Sequence, residues 1–222
     1  MTRLTTVLFD LDGTLIDSIR LILDSYHHTL ASHGIAARSD DEWLAGIGTP
    51  LQVQFAEWAE SPGIEAMIAT YRDYNLAHHD TRVLPYPGIV EMVRTVRQAG
   101  LLTGLVTSKN RSGALRGLRL CGLDEAMDVL VGADDVEHPK PHPEPVLKAL
   151  SALGQPAESA MYIGDSIHDM QAGRAAGVLT AAVLWGPFGR EHLEGSRPDF
   201  WLDRPDQLQA VVSKLSAGLP AQ

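Results

Sequence analysis

Two hydrophobic patterns alternate along most of the sequence and together predict an α/β fold. Short apolar runs are typical of buried strands, and apolar residues three and four positions apart are typical of helices with one buried face. The predicted strands are Leu4–Phe9, Leu101–Val106, Asp128–Val131, Ala160–Ile163 and Leu179–Leu184. The predicted helices between them are Ile89–Ala99, Ser112–Leu120, Pro145–Leu153 and Met170–Ala176. This alternation predicts a Rossmann-like parallel sheet with helices on both faces.

The segment between the first and second strands has a different pattern, with helical spacing throughout. A first helix carries an apolar stripe formed by Ile19, Ile22, Leu23, Tyr26 and Leu30. Ser39 and Glu42 have capping-box spacing and predict the start of a second helix. A third helix is expected to contain Leu51, Phe55 and Trp58 and to end at Pro62-Gly63, and a fourth to contain Ile64, Met67, Ile68 and Tyr71. We therefore expect a small all-helical cap, residues 16–82, inserted after strand one of a core formed by residues 1–15 and 83–222.

Composition narrows the class of protein without identifying it. The chain has 222 residues, of which 45% are hydrophobic and 21% charged, with a formal net charge of −10. This charge argues against a nucleic-acid partner, and the single cysteine, Cys121, excludes an intrachain disulfide. No apolar run is long enough to span a bilayer, and the start of the sequence lacks the features of a signal peptide. We expect a cytoplasmic protein with no membrane partner, and the sequence leaves monomer and homodimer open.

Polar side chains follow the predicted strands at the edge where ligands of parallel sheets bind. Asp10 and Asp12 follow strand one, and Thr107, Ser108 and Lys109 follow Leu101–Val106. The remaining groups are Lys140, after the strand at Asp128–Val131, and Asp165 and Asp169, after Ala160–Ile163. We expect carboxylates, hydroxyls and a cation to converge there.

Two aspartates one residue apart repel each other unless a cation lies between them. Oxygen ligands favour Mg²⁺ over zinc here, and no histidine or cysteine ligand spacing competes at these aspartates. One carboxylate could then act as a nucleophile while the other transfers a proton. The alternative is that Asp10 and Asp12 only cap a turn, but the glycine and threonine that follow and the three other polar groups favour chemistry.

Each of the other groups also has a simpler structural interpretation. Thr107 and Ser108 could be ordinary polar residues at a strand end, or could bind phosphate through hydroxyl and backbone N–H groups. Lys140 lies among four prolines, which predict a stiff segment, and is either an anion ligand or an incidental linker residue. Asp165 could cap a helix, and Asp169 could support the water shell of a metal.

Taken in order, these residues resemble the four motifs of the haloacid dehalogenase (HAD) superfamily of phosphohydrolases. The segment DLDGT at Asp10–Thr14 is similar to the first motif, and Thr107 in LVTSK to the second. Lys140 in KP is similar to the third, and GDSIHD at Gly164–Asp169 to the fourth. The helical segment resembles the C1-type cap of the phosphoglycolate phosphatase-like branch.

The resemblance implies a role for each matching residue. Asp10 would attack phosphorus and form an aspartyl-phosphate, and Asp12 would protonate the leaving group and then activate water. Thr107, Ser108 and Lys140 would hold the phosphoryl oxygens. The implied Mg²⁺ ligands are Asp10, the carbonyl of Asp12, Asp165 and, through water, Asp169. We therefore expect a Mg²⁺-dependent phosphatase acting on a small phosphorylated metabolite similar to phosphoglycolate or pyrophosphate.

Three other functions compete with this hypothesis. A dehalogenase would not need Asp12, so that residue favours phosphoryl chemistry. A sugar phosphomutase would share all four motifs and stays open. A phospho-receiver or other non-catalytic phosphate-binding protein is disfavoured by the helical insertion and by the presence of all four motifs.

The sequence says least about substrate choice. The loop Gly46–Pro50 between predicted cap helices contains two glycines that expose backbone N–H groups. Gly48 and Thr49 are therefore our candidates for substrate selection.

Overall fold

A computed structural model describes residues 3–56, 59 and 61–216 and contains a six-stranded, all-parallel sheet. The strands are β1 Thr6–Phe9, β4 Leu102–Val106, β5 Val129–Val131, β6 Ala160–Gly164, β7 Leu179–Val183 and β8 Phe200–Leu202, and a separate antiparallel pair is formed by β2 Ile16–Asp17 and β3 Leu84–Pro85. The strand order in the sheet is β5-β4-β1-β6-β7-β8. This confirms the predicted α/β fold.

Strand β1 lies in the middle of the sheet, between β4 and β6. All four of its residues are buried, as expected for a strand that helices cover on both faces. Phe9 pairs with Leu105 of β4 and with Ile163 of β6, so the ends of these three strands lie level with one another. The residues that follow them therefore share one edge of the sheet.

Helices cover both faces of the sheet. These helices are α5 Ile89–Gln98, α6 Arg111–Leu120, α7 Glu144–Leu153, α8 Ile167–Ala176, α9 Arg190–Leu193 and α10 Gln207–Ser216. One apolar cluster packs Val7 and Phe9 of β1 against α5, α6 and α10. A second packs Leu8, which points to the opposite face, against α7 and α8.

The helical segment contains α1 Ile19–Ser32, α2 Asp40–Leu44, α3 Leu51–Phe55 and α4 Ser61–Arg82. It has its own apolar cluster, in which the rings of Tyr26 and Trp43 stack with centroids 4.2 Å apart. The capping box of Ser39 and Glu42 is present at the start of α2. The division into core and cap at residues 15 and 82 stays a prediction.

The prediction for the third and fourth helices was wrong at their boundary. Helix α3 ends at Phe55, and Trp58 lies outside the described residues. Pro62 and Gly63 do not end a helix but lie in the first turn of α4, which extends to Arg82. Proline is tolerated there because the first N–H groups of a helix have no partner within it.

The sequence patterns also did not predict β8, α9 or α10. Strand β8 has only three residues, too few to show a pattern, yet it forms an edge of the sheet beside β7. None of the helices in the described part of the chain is long and apolar enough to cross a membrane.

Candidate active site

The centre of the candidate site is a buried ion cluster formed by Asp10, Lys140 and Asp169. The Lys140 ammonium donates to Asp10 Oδ1 at 2.8 Å and to Asp169 Oδ1 at 2.6 Å. Lys140 is 3% exposed, Asp10 6% and Asp169 0%, so these charges interact in a medium of low dielectric constant. The structure thus brings Asp10 together with two residues more than a hundred positions further along the sequence.

Each member of the cluster is placed by a different element. Asp10 directly follows β1, and its backbone N–H donates to the Ile163 carbonyl at 2.8 Å. Lys140 comes from the proline-rich segment that precedes α7. Tyr162 of β6 places its hydroxyl 3.1 Å from Lys140 Nζ and 2.9 Å from Asp169 Oδ1. The end of β1, the proline-rich segment and strand β6 therefore each hold one part of the cluster in place.

Asp169 is held by the start of α8. Ser166 is the N-cap residue, and its hydroxyl and backbone N–H donate to Asp169 Oδ2 at 2.6 and 3.0 Å. The Asp169 N–H in turn donates to the Ser166 hydroxyl at 3.2 Å, which completes a capping box. One oxygen of Asp169 thus belongs to the helix cap while the other contacts Lys140.

Asp165 is 1% exposed, and its Oδ1 accepts a hydrogen bond from the Thr14 hydroxyl at 2.8 Å. Its Oδ2 is buried and has no hydrogen-bond partner among the described residues. One carboxylate oxygen from each of Asp10, Asp165 and Asp169 lies within 4.8 Å of the others. An unpartnered buried oxygen beside two further carboxylates fits a hard divalent cation, so these residues could hold a metal.

The pKa values in the cluster differ because the carboxylates have different partners. Burial raises the pKa of Asp10 to about 7, although Lys140 opposes this change. Burial, together with Asp169 and Asp10, raises the pKa of Asp165 well above its ordinary value. Burial also acts against ionised Asp169, but attraction and hydrogen bonding from Lys140, together with hydrogen bonds from Ser166, outweigh it and lower that pKa. The single ammonium of Lys140 is shared by Asp10 and Asp169, so it does not compensate the burial of all three carboxylates.

Asp12 lies in a second polar group beside the ion cluster. Its Oδ1 accepts from the Ser18 hydroxyl at 2.5 Å, and Lys109 Nζ lies 3.0 and 3.2 Å from its two carboxylate oxygens. Asp12 therefore has polar partners of its own and does not share Lys140 with Asp10. Asp10 and Asp12 therefore have different surroundings, as two different roles would require.

Thr107 and Ser108 follow β4 at the same edge of the sheet. The Thr107 hydroxyl accepts from the Lys109 N–H at 3.1 Å. The Ser108 hydroxyl donates to the Gly48 carbonyl at 2.6 Å, which joins the core to the loop of the helical segment. Gly48 has a φ of +97°, and Thr49 donates its hydroxyl to the Gly46 carbonyl at 2.8 Å. The structure thus places the candidate selection loop directly against a candidate phosphate-binding residue.

Glycines allow the backbone to approach Asp165 closely. Gly13 has a φ of +88°, and a Cβ there would lie 2.5 Å from Asp165 Oδ2. A Cβ on Gly186 would lie 2.6 Å from the Gly13 carbonyl oxygen and 2.8 Å from the Asp165 Cβ. Both positions exclude a side chain, so the turn after β1 can pack against Asp165.

A cavity of 720 Å³ opens over these groups. Its floor contains Asp10, Asp12, Thr107, Ser108, Lys140 and Asp165. Residues of the helical segment close the other side, among them Tyr26, Gly48, Thr49, Arg72 and Asn75. The cavity therefore lies between the edge of the sheet and the helical segment, and all the predicted site residues except Asp169 line it.

Three groups of the site were missed from the sequence, and a fourth, Lys109, was expected at this edge without an assigned contact. Tyr162 and Ser18 contact the predicted aspartates, and Thr14 and Lys109 do so from within or beside the motifs. Thr14 lies in DLDGT and Lys109 in LVTSK, so the sequence already placed both within the segments that resemble family motifs. Tyr162 looks like an ordinary strand residue, and its role depends on the packing of β6 beside β1.

Comparison with known proteins gives consistent matches along the chain. A sequence profile of the family described as haloacid dehalogenase-like hydrolase matches residues 7–183. The pyrophosphatase PpaX of Bacillus cereus is 44% identical over 214 residues, which cover 96% of this chain and 99% of that protein.

Two solved structures are similar over nearly their whole length. A haloacid dehalogenase-like family hydrolase from Streptococcus pneumoniae superposes with a TM-score of 0.83 at 26% identity, covering 95% of this chain and 99% of that one. A candidate phosphoglycolate phosphatase from Lactobacillus plantarum gives a TM-score of 0.83 at 26% identity, with coverage of 95% and 100%.

Proposed function

The chain belongs to the haloacid dehalogenase-like hydrolase family, and on that premise we propose that it is a Mg²⁺-dependent phosphatase acting on a small phosphorylated compound. The observation that carries this proposal is the buried contact of Lys140 with Asp10 and Asp169 at the floor of the cavity. A cation beside a carboxylate that follows a central strand suits the binding of a phosphoryl group next to a nucleophile.

Asp10 is the proposed nucleophile. Its carboxylate is at the floor of the cavity, and Ile163 and Lys140 fix its backbone and its side chain. The Asp10 oxygen would attack phosphorus, the bond from phosphorus to the leaving oxygen would break, and the aspartyl-phosphate would then be hydrolysed by water. Lys140, with the Thr107 hydroxyl and the Ser108 N–H, would neutralise the charge on the phosphoryl oxygens.

Asp10, Asp165, Asp169 and the backbone carbonyl of Asp12 are the proposed Mg²⁺ ligands. When bound, Mg²⁺ would supply the positive charge that favours ionised Asp10 and screens the incoming phosphate from the carboxylates. Asp169 already has both oxygens engaged by protein groups, so it is suited to act through water. Asp165 has a free buried oxygen and is suited to direct contact.

Asp12 is the proposed general acid and base. Ser18 and Lys109 orient its carboxyl group beside the floor of the cavity. It would give a proton to the leaving oxygen in the first step and take one from water in the second. These are the two proton transfers that hydrolysis through a covalent intermediate requires.

We propose pyrophosphate as the first substrate to test, because a relative with 44% identity over almost the entire chain is named a pyrophosphatase. Pyrophosphate carries charge on both phosphoryl groups and needs cations beyond Lys140. Lys109 and Arg72 also line the cavity and could meet the second group. Phosphoglycolate is the second candidate, since a solved structure of similar fold bears that name.

We also propose that residues 16–82 act as a cap that selects the substrate. The apolar cluster of this segment and the Ser108–Gly48 contact support this division. Residues such as Gly48 and Thr49 would then contact the part of the substrate that is not transferred.

The test is release of inorganic phosphate by the purified protein with Mg²⁺, comparing kcat/KM for pyrophosphate, phosphoglycolate and a sugar phosphate. Asp10→Asn keeps the size of the side chain and removes the nucleophile, so it should abolish hydrolysis. Full activity of Asp10→Asn would overturn the mechanism. Conversion of a sugar phosphate to its isomer without phosphate release would instead favour the phosphomutase hypothesis.

A further inference from the structure

The segment that carries Lys140 has a second chemical face, which the proposed function does not use. Between His138 and Glu144, prolines alternate with the residues His138, Lys140, His142 and Glu144. Lys140 is buried and contacts Asp10, whereas His138 and His142 are exposed. The loop thus presents a cation to the site and two imidazoles to solvent.

His138, His142 and Glu144 converge on the outer face of this loop. One potential ligand atom from each of the three lies within 4.8 Å of the others. The closest pair is His138 Nδ1 and Glu144 Oε2, which are 2.9 Å apart, and the two imidazole centroids are 4.7 Å apart. Adjacent ligands of a tetrahedral metal are separated by about 3 Å when the bonds are about 2 Å long. The His138–Glu144 pair has this separation as a hydrogen bond, whose proton a metal ion would replace. His142 is held beside the pair because its Nδ1 accepts from the Glu144 N–H at 3.2 Å.

The loop backbone holds this arrangement in place. The Glu144 carboxylate accepts from the backbone N–H groups of Glu137 and His138 at 2.9 and 3.0 Å. Prolines at positions 139, 141 and 143 restrict the backbone between the three side chains. An ion bound there would therefore lose little of its binding energy to ordering of the chain.

We propose that His138, His142 and Glu144 form a surface site for a borderline transition-metal ion such as Zn²⁺, distinct from the carboxylate cluster of the active site. Two imidazole nitrogens and one carboxylate oxygen suit Zn²⁺, with water as the fourth ligand, whereas Mg²⁺ prefers oxygen ligands alone. The ion would join the residues two positions before and two positions after Lys140, and so clamp the backbone that carries this lysine.

The test is calorimetric titration of the untagged full chain with Zn²⁺, with Mg²⁺ present in excess to occupy the carboxylate cluster. Wild type should bind a single Zn²⁺ at this site, and His138→Ala/His142→Ala should lose that binding. The control is His28→Ala/His33→Ala, which removes two other exposed histidines and should bind as wild type does. Asp165→Asn should also retain the binding event.

A second measurement examines the clamp itself. Amide exchange at Glu137 and His138 should slow when Zn²⁺ is added to wild type and should not change in the double alanine variant. Zn²⁺ binding that survives in the double alanine variant and disappears in Asp165→Asn would assign the ion to the carboxylate cluster and overturn the proposal. Because neither readout measures hydrolysis, the outcome is independent of the proposed phosphatase activity.

Discussion

At the scale of single residues, Tyr162 is the neutral member of a charged cluster. Its hydroxyl lies 2.9 Å from the Val106 carbonyl and from Asp169 Oδ1, and 3.1 Å from Lys140 Nζ. Its ring belongs to the apolar cluster on one face of the sheet. Tyr162 therefore connects the packing of the core to the position of the catalytic lysine proposed above.

We predict that Tyr162→Phe keeps the packing of the ring and loses the contacts of the hydroxyl with Lys140 and Asp169. Removing a buried hydroxyl from charged partners should cost about 1–2 kcal/mol of unfolding free energy. It should also lower kcat, because Lys140 loses one of its three partners. Urea unfolding and steady-state kinetics measure the two effects, with Tyr74→Phe as the control. Unchanged stability and kcat would contradict this role.

Gly186 provides a second test at this scale. A Cβ at this position would meet the Gly13 carbonyl and the Asp165 Cβ, so Gly186→Ala should displace the turn that faces Asp165. We expect a loss of about 1–3 kcal/mol, as for overpacked sites, together with lower activity. Gly189→Ala is the matched control, since a Cβ there meets nothing within 4 Å. Its stability should stay within about 0.5 kcal/mol of wild type. Equal effects of the two substitutions would contradict the steric argument.

At the scale of elements, the chain uses the same device at the start of two helices. Ser39 with Glu42 forms a capping box at α2, and Ser166 with Asp169 forms one at α8. The first lies on the surface of the helical segment, away from the candidate site, and its serine and glutamate hydrogen-bond to each other. The second shares Asp169 with Lys140. A comparison of the two capping boxes therefore distinguishes an effect on helix stability from an effect on the candidate site.

We predict that Ser39→Ala and Ser166→Ala each cost about 1 kcal/mol of stability, the usual value for loss of an N-cap. Only Ser166→Ala should reduce kcat, because it also removes a hydrogen bond from Asp169. Thermal unfolding and kinetics of both variants test the comparison. An unchanged kcat in Ser166→Ala would show that Asp169 does not depend on its cap. An equal fall in kcat in Ser39→Ala would show that loss of a helix cap alone lowers kcat.

Hydrophobic spacing predicted the elements well where they were long or bounded by clear signals. Helix α5, for example, ends at Gln98, within a residue of the predicted Ala99. It failed at α4, since Pro62 is compatible both with the end of one helix and with the first turn of the next. It also failed at β8, because three residues do not establish a period and the pairing with β7 is a tertiary contact.

At the scale of the whole molecule, α4 and α6 meet through a buried histidine. His79 is 1% exposed, and its Nδ1 lies 2.8 Å from Asp80 Oδ1, while its Nε2 has no hydrogen-bond partner among the described residues. Asp80 in turn pairs with Arg116 of α6 at 2.8 Å. Burial lowers the pKa of His79, so the folded protein holds this imidazole neutral.

The contribution of His79 to stability should therefore fall as the pH drops. In the unfolded chain His79 gains a proton near pH 6.5, whereas in the folded state it does so only at lower pH, so protons favour unfolding in that range. Lowering the pH from 7.5 to about 5.5 should lower the unfolding free energy of wild type relative to that of His79→Gln. Denaturant unfolding across this range measures the slopes, with the exposed His33→Gln as control. Identical slopes for wild type and His79→Gln would contradict the assignment.

The residues of the candidate site could be predicted from the sequence, but the contacts between them could not. Polar residues after strands identified Asp10, Lys140 and Asp165, because parallel strands end at one edge. Which carboxylate meets which cation depends on register and packing. Lys109 is an example, since it belongs to the segment that contains Thr107 and Ser108 yet its ammonium group lies against Asp12.

The short antiparallel pair β2–β3 has a consequence for how such a protein could change over time. Ile16 pairs with Pro85 and Asp17 with Leu84, so the chain leaves the sheet and returns to it at adjacent points. A different set of helices could be grafted between these two strands without moving β1 or β4, because the two attachment points would remain where they are. If this segment selects the substrate, as proposed above, exchange of one segment would change the substrate and leave the residues at the edge of the sheet in place.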